Sequence, residues 1–127
     1  MPITSESVPE SNLTIMTLSG EVDYKERLDA FKSFYENPTE KLIYDKRSLN
    51  GGSLTVEDVR NLVEFVRQKD NATKRRMTAV VSSTTAEYGL SRMFELIAKA
   101  KNIPWEIKCF NSYEEAEKWI SQCGSNQ

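Results

Sequence analysis

The apolar positions of this chain follow two periods in turn, and their clearest junction lies between Met77 and Ala98. Met77 to Val81 is an apolar run interrupted only by Thr78, the pattern of a strand covered on both faces. Four consecutive hydroxyls, Ser82 to Thr85, form a corner after it. Leu90, Met93, Phe94, Ile97 and Ala98 then recur at helical spacing and make one wide apolar stripe. Thr84 with Glu87 three residues on is a capping-box pattern that starts this helix. A strand feeding an amphipathic helix is the unit of a parallel sheet.

The same alternation runs through the rest of the chain. Leu13 to Leu18 alternates as a strand and is closed by Ser19 and Gly20. Asp23 with Glu26 caps a helix whose apolar face is Tyr24, Leu28, Phe31 and Tyr35, reinforced by Phe34, and which Asn37-Pro38 ends. Lys41 to Asp45 reads as a short strand, followed by a loop from Asp45 to Ser48 and on through Gly51 and Gly52. Thr55 with Asp58 opens the next helix, with Leu54 and Val59 as a hydrophobic staple and Val59, Leu62, Val63 and Val66 as its buried stripe.

A polar turn, Lys69 to Lys74, leads back to the junction, with Lys74, Arg75 and Arg76 read as a solvated basic patch. Trp105 to Phe110 is the last strand, and its alternating Glu106 and Lys108 suit a sheet edge. Ser112 with Glu115 caps a final helix that buries Tyr113, Ala116 and Ile120.

These elements predict an α/β fold: a mostly parallel sheet flanked by helices, built of successive β-α units with right-handed crossovers. Residues 1–12 form an arm or an antiparallel edge strand, 13–120 a single domain and 121–127 a flexible tail. Strand order is not legible in the pattern.

Composition narrows the chemistry. With 127 residues, 39% apolar and 28% charged, the chain suffices for one ordinary core without staples. The net charge of −2 gives no electrostatic footprint for nucleic acid, and no apolar run is long enough to span a membrane. The N-terminal segment has neither the basic start nor the apolar core of a signal peptide. There is no histidine, which removes Ser–His and Cys–His nucleophile pairs and histidine metal ligands. Two cysteines make neither a disulfide framework nor a four-thiolate zinc site, and Cys109 reads as a small core residue in a reducing cytoplasm. No catalytic residue, metal site or cofactor is expected.

Ligands of parallel sheets meet the ends of strands where the chain enters its helices. Ser82, Ser83 and Thr84, beside the free N–H groups of a helix start, could hold an anion, with Tyr88 as an aromatic wall. The plainer alternative is that Thr84 caps the helix and the other hydroxyls satisfy turn backbone. At the neighbouring corner Asp45 and Arg47 form a small charged pair or a turn salt bridge, and Lys46 and Arg47 are candidate phosphate contacts. Gly89, in the first turns of the third helix, suggests close backbone packing or a ligand near the helix.

At these same corners the sequence resembles the small SpoIIAA-like proteins, also described as STAS/SEC14-like domains. The matching segments are LSGEVDYKE, IYDKRS, MTAVVSSTTAEYGLSRMFE and IKCFNSYEEAEKWI, which together reach from about Leu13 to Ile120. The resemblance implies a mixed or mostly parallel sheet flanked by helices, a cytoplasmic location and, for most members, no established catalytic activity. Some relatives are anti-sigma-factor antagonists whose regulatory serine lies in an Asp-Ser-Ser-Gly run at a helix start. The comparable segment here is LNGGSLTVEDV; that run is absent, and Ser53 and Thr55 are the hydroxyls available.

The leading expectation is therefore a non-enzymatic cytoplasmic regulatory or protein-interaction domain. The alternative is a small-molecule or anion-binding protein using the loops near Asp45 to Ser48 and Ser82 to Thr85. A protein partner, a small anionic ligand and a homodimer formed through a helix face or a strand edge are the candidate associations.

Overall fold

The computed structural model describes residues 2–51, 54–70, 76–103 and 105–122. Among these described residues five strands and four helices follow in the order β1 (Ile3–Val8), β2 (Leu13–Glu21), α1 (Tyr24–Glu36), β3 (Lys41–Gly51), α2 (Val56–Lys69), β4 (Arg76–Val81), α3 (Thr85–Ala100), β5 (Trp105–Phe110) and α4 (Tyr113–Gln122). The N-terminal segment is an edge strand, antiparallel to β2. A 3₁₀ turn at Pro9–Ser11, with Asn12 left-handed at φ 53°, reverses the chain between them.

The strands lie in sequence order across one sheet, and β2 to β5 are mutually parallel. Three right-handed crossovers that each step to the next strand must leave their helices on the same side. Accordingly α1, α2 and α3 share one face, where Phe31, Phe34, Leu62, Val63, Val66 and Ala98 pack on Met16, Leu18, Leu42, Tyr44 and Val80. The other face is covered by α4, whose Ala116 and Ile120 lie among Leu13, Ile43, Ala79 and Val81. The middle strands are therefore apolar on both faces, with Leu42, Ile43, Ala79 and Val81 fully buried, and burial of each branched side chain contributes about 1.5–3 kcal/mol. Capping boxes stand at Asp23/Glu26 and Thr55/Asp58.

Several expectations change. Asp45 to Ser48 is not a loop: β3 continues to Gly51, beyond its last pairing with β4 at Asp45, and keeps pairing on its other side with Ser19, Gly20 and Glu21 of β2. Two register shifts each put one extra residue into β3 along this overhang, and its polar residues hid the strand because pairing there is one-sided.

Arg76 does not belong to a solvated patch. It is 8% exposed and paired to Asp70; Lys74 and Arg75 lie outside the described residues. Cys109 is half-buried at the sheet edge rather than in the core. Nothing lies within 4 Å of the position a Cβ would take on Gly89, so no close backbone packing explains that glycine. Helix α4 runs through Ser121 to Gln122.

Candidate functional site

The overhang of β3 and the starts of α2 and α3 meet at one end of the sheet. Alternation along β3 sends Asp45 and Arg47 to the α4 face and Tyr44 and Lys46 to the face of the other helices. Arg47 forms a fork with Asp45, Nε to Oδ1 at 3.0 Å and Nη2 to Oδ2 at 2.9 Å, while its backbone N–H donates to the same Oδ1 at 3.0 Å. The guanidinium lies 4.6 Å over the Tyr113 ring, which fastens the first turn of α4 to the overhang. The hydrogen bond to Asp45 is the main reason the Arg47 pKa is raised above its usual value.

Lys46 is on the other side of the sheet and 3% exposed. Its ammonium donates to the Glu87 carbonyl at 3.0 Å and pairs with Glu87 Oε1 at 3.0 Å. Burial lowers its pKa, and the Glu87 carboxylate opposes that shift. Arg27 of α1, 1% exposed, has Nη1 3.6 Å from the same carboxylate and donates from Nε and Nη2 to the Val22 carbonyl. Lys46 and Arg47, adjacent in sequence, are thus separated by the sheet and cannot grip one phosphate. Sequence spacing offers Glu87 only as a capping-box partner of Thr84 and gives Arg27 no role; the one available signal is an arginine on the apolar side of α1, one turn before Phe31.

The hydroxyl corner is engaged internally. Ser82 is buried, its Oγ 3.5 Å from Ser91 Oγ. Ser83 Oγ donates to the Arg47 carbonyl at 2.9 Å, tying the start of α3 to the overhang. Thr84 Oγ1 accepts from Glu87 N at 3.1 Å as the helix cap; Glu87 is turned to Lys46 and Arg27 instead of closing the box. Thr55 Oγ1 caps α2 by accepting from Asp58 N at 3.0 Å. Ser53 lies outside the described residues.

A cavity of about 50 Å³ under this corner is lined by Arg27, Tyr44, Lys46, Thr78, Ser91 and Phe94 among others. It has room for about one or two waters, against the roughly 300–1,000 Å³ of a metabolite pocket. Among the described residues no group of three or more His, Cys, Asp or Glu side chains could hold a metal ion. No described helix is long and apolar enough to cross a membrane.

The starts of α2 and α3 show both apolar and hydroxyl side chains to solvent. Val56, 49% exposed at the first position of α2, and Tyr88, 37% exposed in the first turn of α3, stand at the same end of the sheet as exposed Thr55, Ser83 and Thr84. Exposed apolar side chains are few elsewhere: among the described residues Leu96, outside this corner, is the other large one.

The fold and this corner define an α/β scaffold of five strands and four helices among the described residues. No family model matches the chain, and no curated protein matches it. Among solved structures it is similar to a crystal structure of an anti-sigma factor antagonist from Mycobacterium paratuberculosis. The two are 16% identical over 93% of this chain and 92% of the other, with a TM-score of 0.59. That likeness shows the fold: alternating β-α units in a mostly parallel mixed sheet flanked by helices, of the SpoIIAA-like type.

Proposed function

We propose that this chain is a non-enzymatic regulatory domain that binds a partner protein with the corner formed by the starts of α2 and α3. The observation that carries the reading is the exposure of Val56 and Tyr88 at the helix starts, at the same end of the sheet as the exposed Thr55, Ser83 and Thr84. An apolar centre with a polar rim is the usual composition of a protein-binding patch. Its likeness in fold to an anti-sigma factor antagonist supports a protein rather than a metabolite as the target.

The regulatory candidates are Thr55 and Ser53. A phosphate on Thr55 would add negative charge at the N-terminal end of α2, where the helix dipole favours it, in place of the capping hydroxyl. The anion-binding alternative is less well supported. Ser82, Ser83 and Thr84 already serve internal contacts, and Lys46 is buried against Glu87.

The test is capture of partners from the native host by the tagged protein and by Val56→Asp, Tyr88→Ala and Thr55→Glu. Reproducible recovery of one partner that both Val56→Asp and Tyr88→Ala abolish supports the corner, and loss or gain with Thr55→Glu assigns the switch there. Capture unchanged in all three variants removes the corner from the mechanism.

A further inference from the structure

We propose that two copies of this chain pair edge to edge through β5, in one antiparallel register centred on Ile107. This goes beyond partner binding at the corner, and it uses a different surface.

Strand β5 is the last in the sheet and β4 is its neighbour on one side. Which backbone groups point outward follows from the ladder. The Ser82 N–H donates to the Phe110 carbonyl at 3.0 Å, so Phe110, and with it Lys108 and Glu106, turn their backbone groups toward β4. Trp105, Ile107 and Cys109 therefore turn theirs to the open edge, where the Trp105 N–H is taken by the Ile103 carbonyl at 2.8 Å.

An antiparallel copy can meet this edge only with outward residues opposite outward residues. Placing Ile107 opposite Ile107 of the second copy does this, and it sets Trp105 opposite Cys109. The residues between them then face each other as non-hydrogen-bonded pairs, in which side chains approach most closely. Those pairs are Glu106 with Lys108 and Lys108 with Glu106, opposite in sign twice over.

Sliding the strand by two residues keeps the backbone parity but sets Glu106 against Glu106 or Lys108 against Lys108. The charges thus select a single register, and they sit on side chains that are both exposed. Charged residues on an edge ordinarily discourage pairing with other strands. Here the mixed signs favour the register centred on Ile107 over the two registers displaced by two residues. The product is a closed two-fold assembly that joins the two sheets into one and consumes both open β5 edges.

The experiment is sedimentation of the full chain over a concentration series, for the parent, Glu106→Lys, Lys108→Glu, the double exchange, and an equimolar mixture of the two single variants. Both sites are exposed, and circular dichroism checks that each variant is folded. The parent should approach twice 14.5 kDa as concentration rises. Each single variant places like charges opposite and should raise the dimer dissociation constant about tenfold or more. The double exchange and the mixture should both return to parental association, because each restores opposite pairs. Hydrogen exchange should slow at the Ile107 and Cys109 amides in the dimer. A parent that stays monomeric throughout overturns the proposal, as does a dimer that the single exchanges leave unchanged.

Discussion

Glu87 Oε1 lies 3.0 Å from Lys46 Nζ and 3.6 Å from Arg27 Nη1, so one shielded carboxylate serves two buried cations from different elements. This joins the start of α3 to β3 and to α1, and it fixes the corner from beneath.

Removal of that carboxylate leaves both cations without it in a low-dielectric setting. Glu87→Ala should therefore cost about 3–5 kcal/mol. Lys46→Met replaces a buried ammonium with an apolar chain of similar volume and leaves Arg27 with Glu87, so it should cost under about 1.5 kcal/mol. Urea unfolding, with the denaturant slope unchanged, measures both. Equal losses for the two variants would show that the charges are not what holds the corner.

Alkaline pH should weaken the fold through Cys109. Burial, assisted by Glu95 at 3.5 Å, pushes its thiol up from 9.0 to about 12. The unfolded thiol gives up its proton first, so this contribution to stability is complete below pH 9 and is lost as pH rises through 12. Tyr35 and Tyr44, raised chiefly by burial, act in the same sense above pH 10. Lys46, lowered by burial, acts in the opposite sense below its unfolded value of 10.5. Comparison with Cys109→Ala isolates the thiol: the parent should lose more stability than the variant between pH 9 and 11, and parallel curves would contradict the assignment.

The elements were legible because their signals are local. Thr84, Thr55 and Asp23 cap helices where the spacing places them, and Glu106 and Lys108 mark β5 as an edge. What could not be read was long-range. Asp45 to Ser48 looks like a loop until β2 is seen to extend alongside it, and Arg76 looks solvated until Asp70 is brought to it from the end of α2. The same limit applies to the site: alternation alone separates Lys46 from Arg47, but only once β3 is known to continue through them. Arg27 and Glu87, 60 positions apart, carry no sequence signal of their meeting.

The two glycines of known geometry should answer alanine in opposite ways. Gly20, at φ 71°, holds a left-handed backbone near the end of β2 that a Cβ disfavours, although the space around it is open. Gly20→Ala should cost about 1–2 kcal/mol. Gly89 is helical, exposed and unobstructed, so Gly89→Ala should add up to about 1 kcal/mol. Thermal unfolding separates them by sign, and a loss at Gly89 would mean that its surface is occupied by something other than solvent.

At the opposite end of the strands, Asp70 gathers three elements around one carboxylate. It accepts from Tyr35 Oη at 2.9 Å, from Arg76 Nε at 2.7 Å and from Trp105 Nε1, and so ties α1, β4 and β5 to the end of α2. The Arg76 guanidinium is also stacked near the Phe34 and Tyr35 rings, at 5.5 and 5.8 Å. Asp70→Ala removes the acceptor from a buried cation and two aromatic donors at once, and should cost about 3–5 kcal/mol. Tyr35→Phe deletes one donor and leaves Arg76 and Trp105 on the carboxylate, so its cost should be near 1 kcal/mol. Trp105 supplies the readout, since its emission in the native state should shift when Asp70 is lost and stay nearly constant when the Tyr35 hydroxyl is removed. A Tyr35→Phe loss as large as that of Asp70→Ala would place the weight of this junction on the hydroxyl and not on the ion pair.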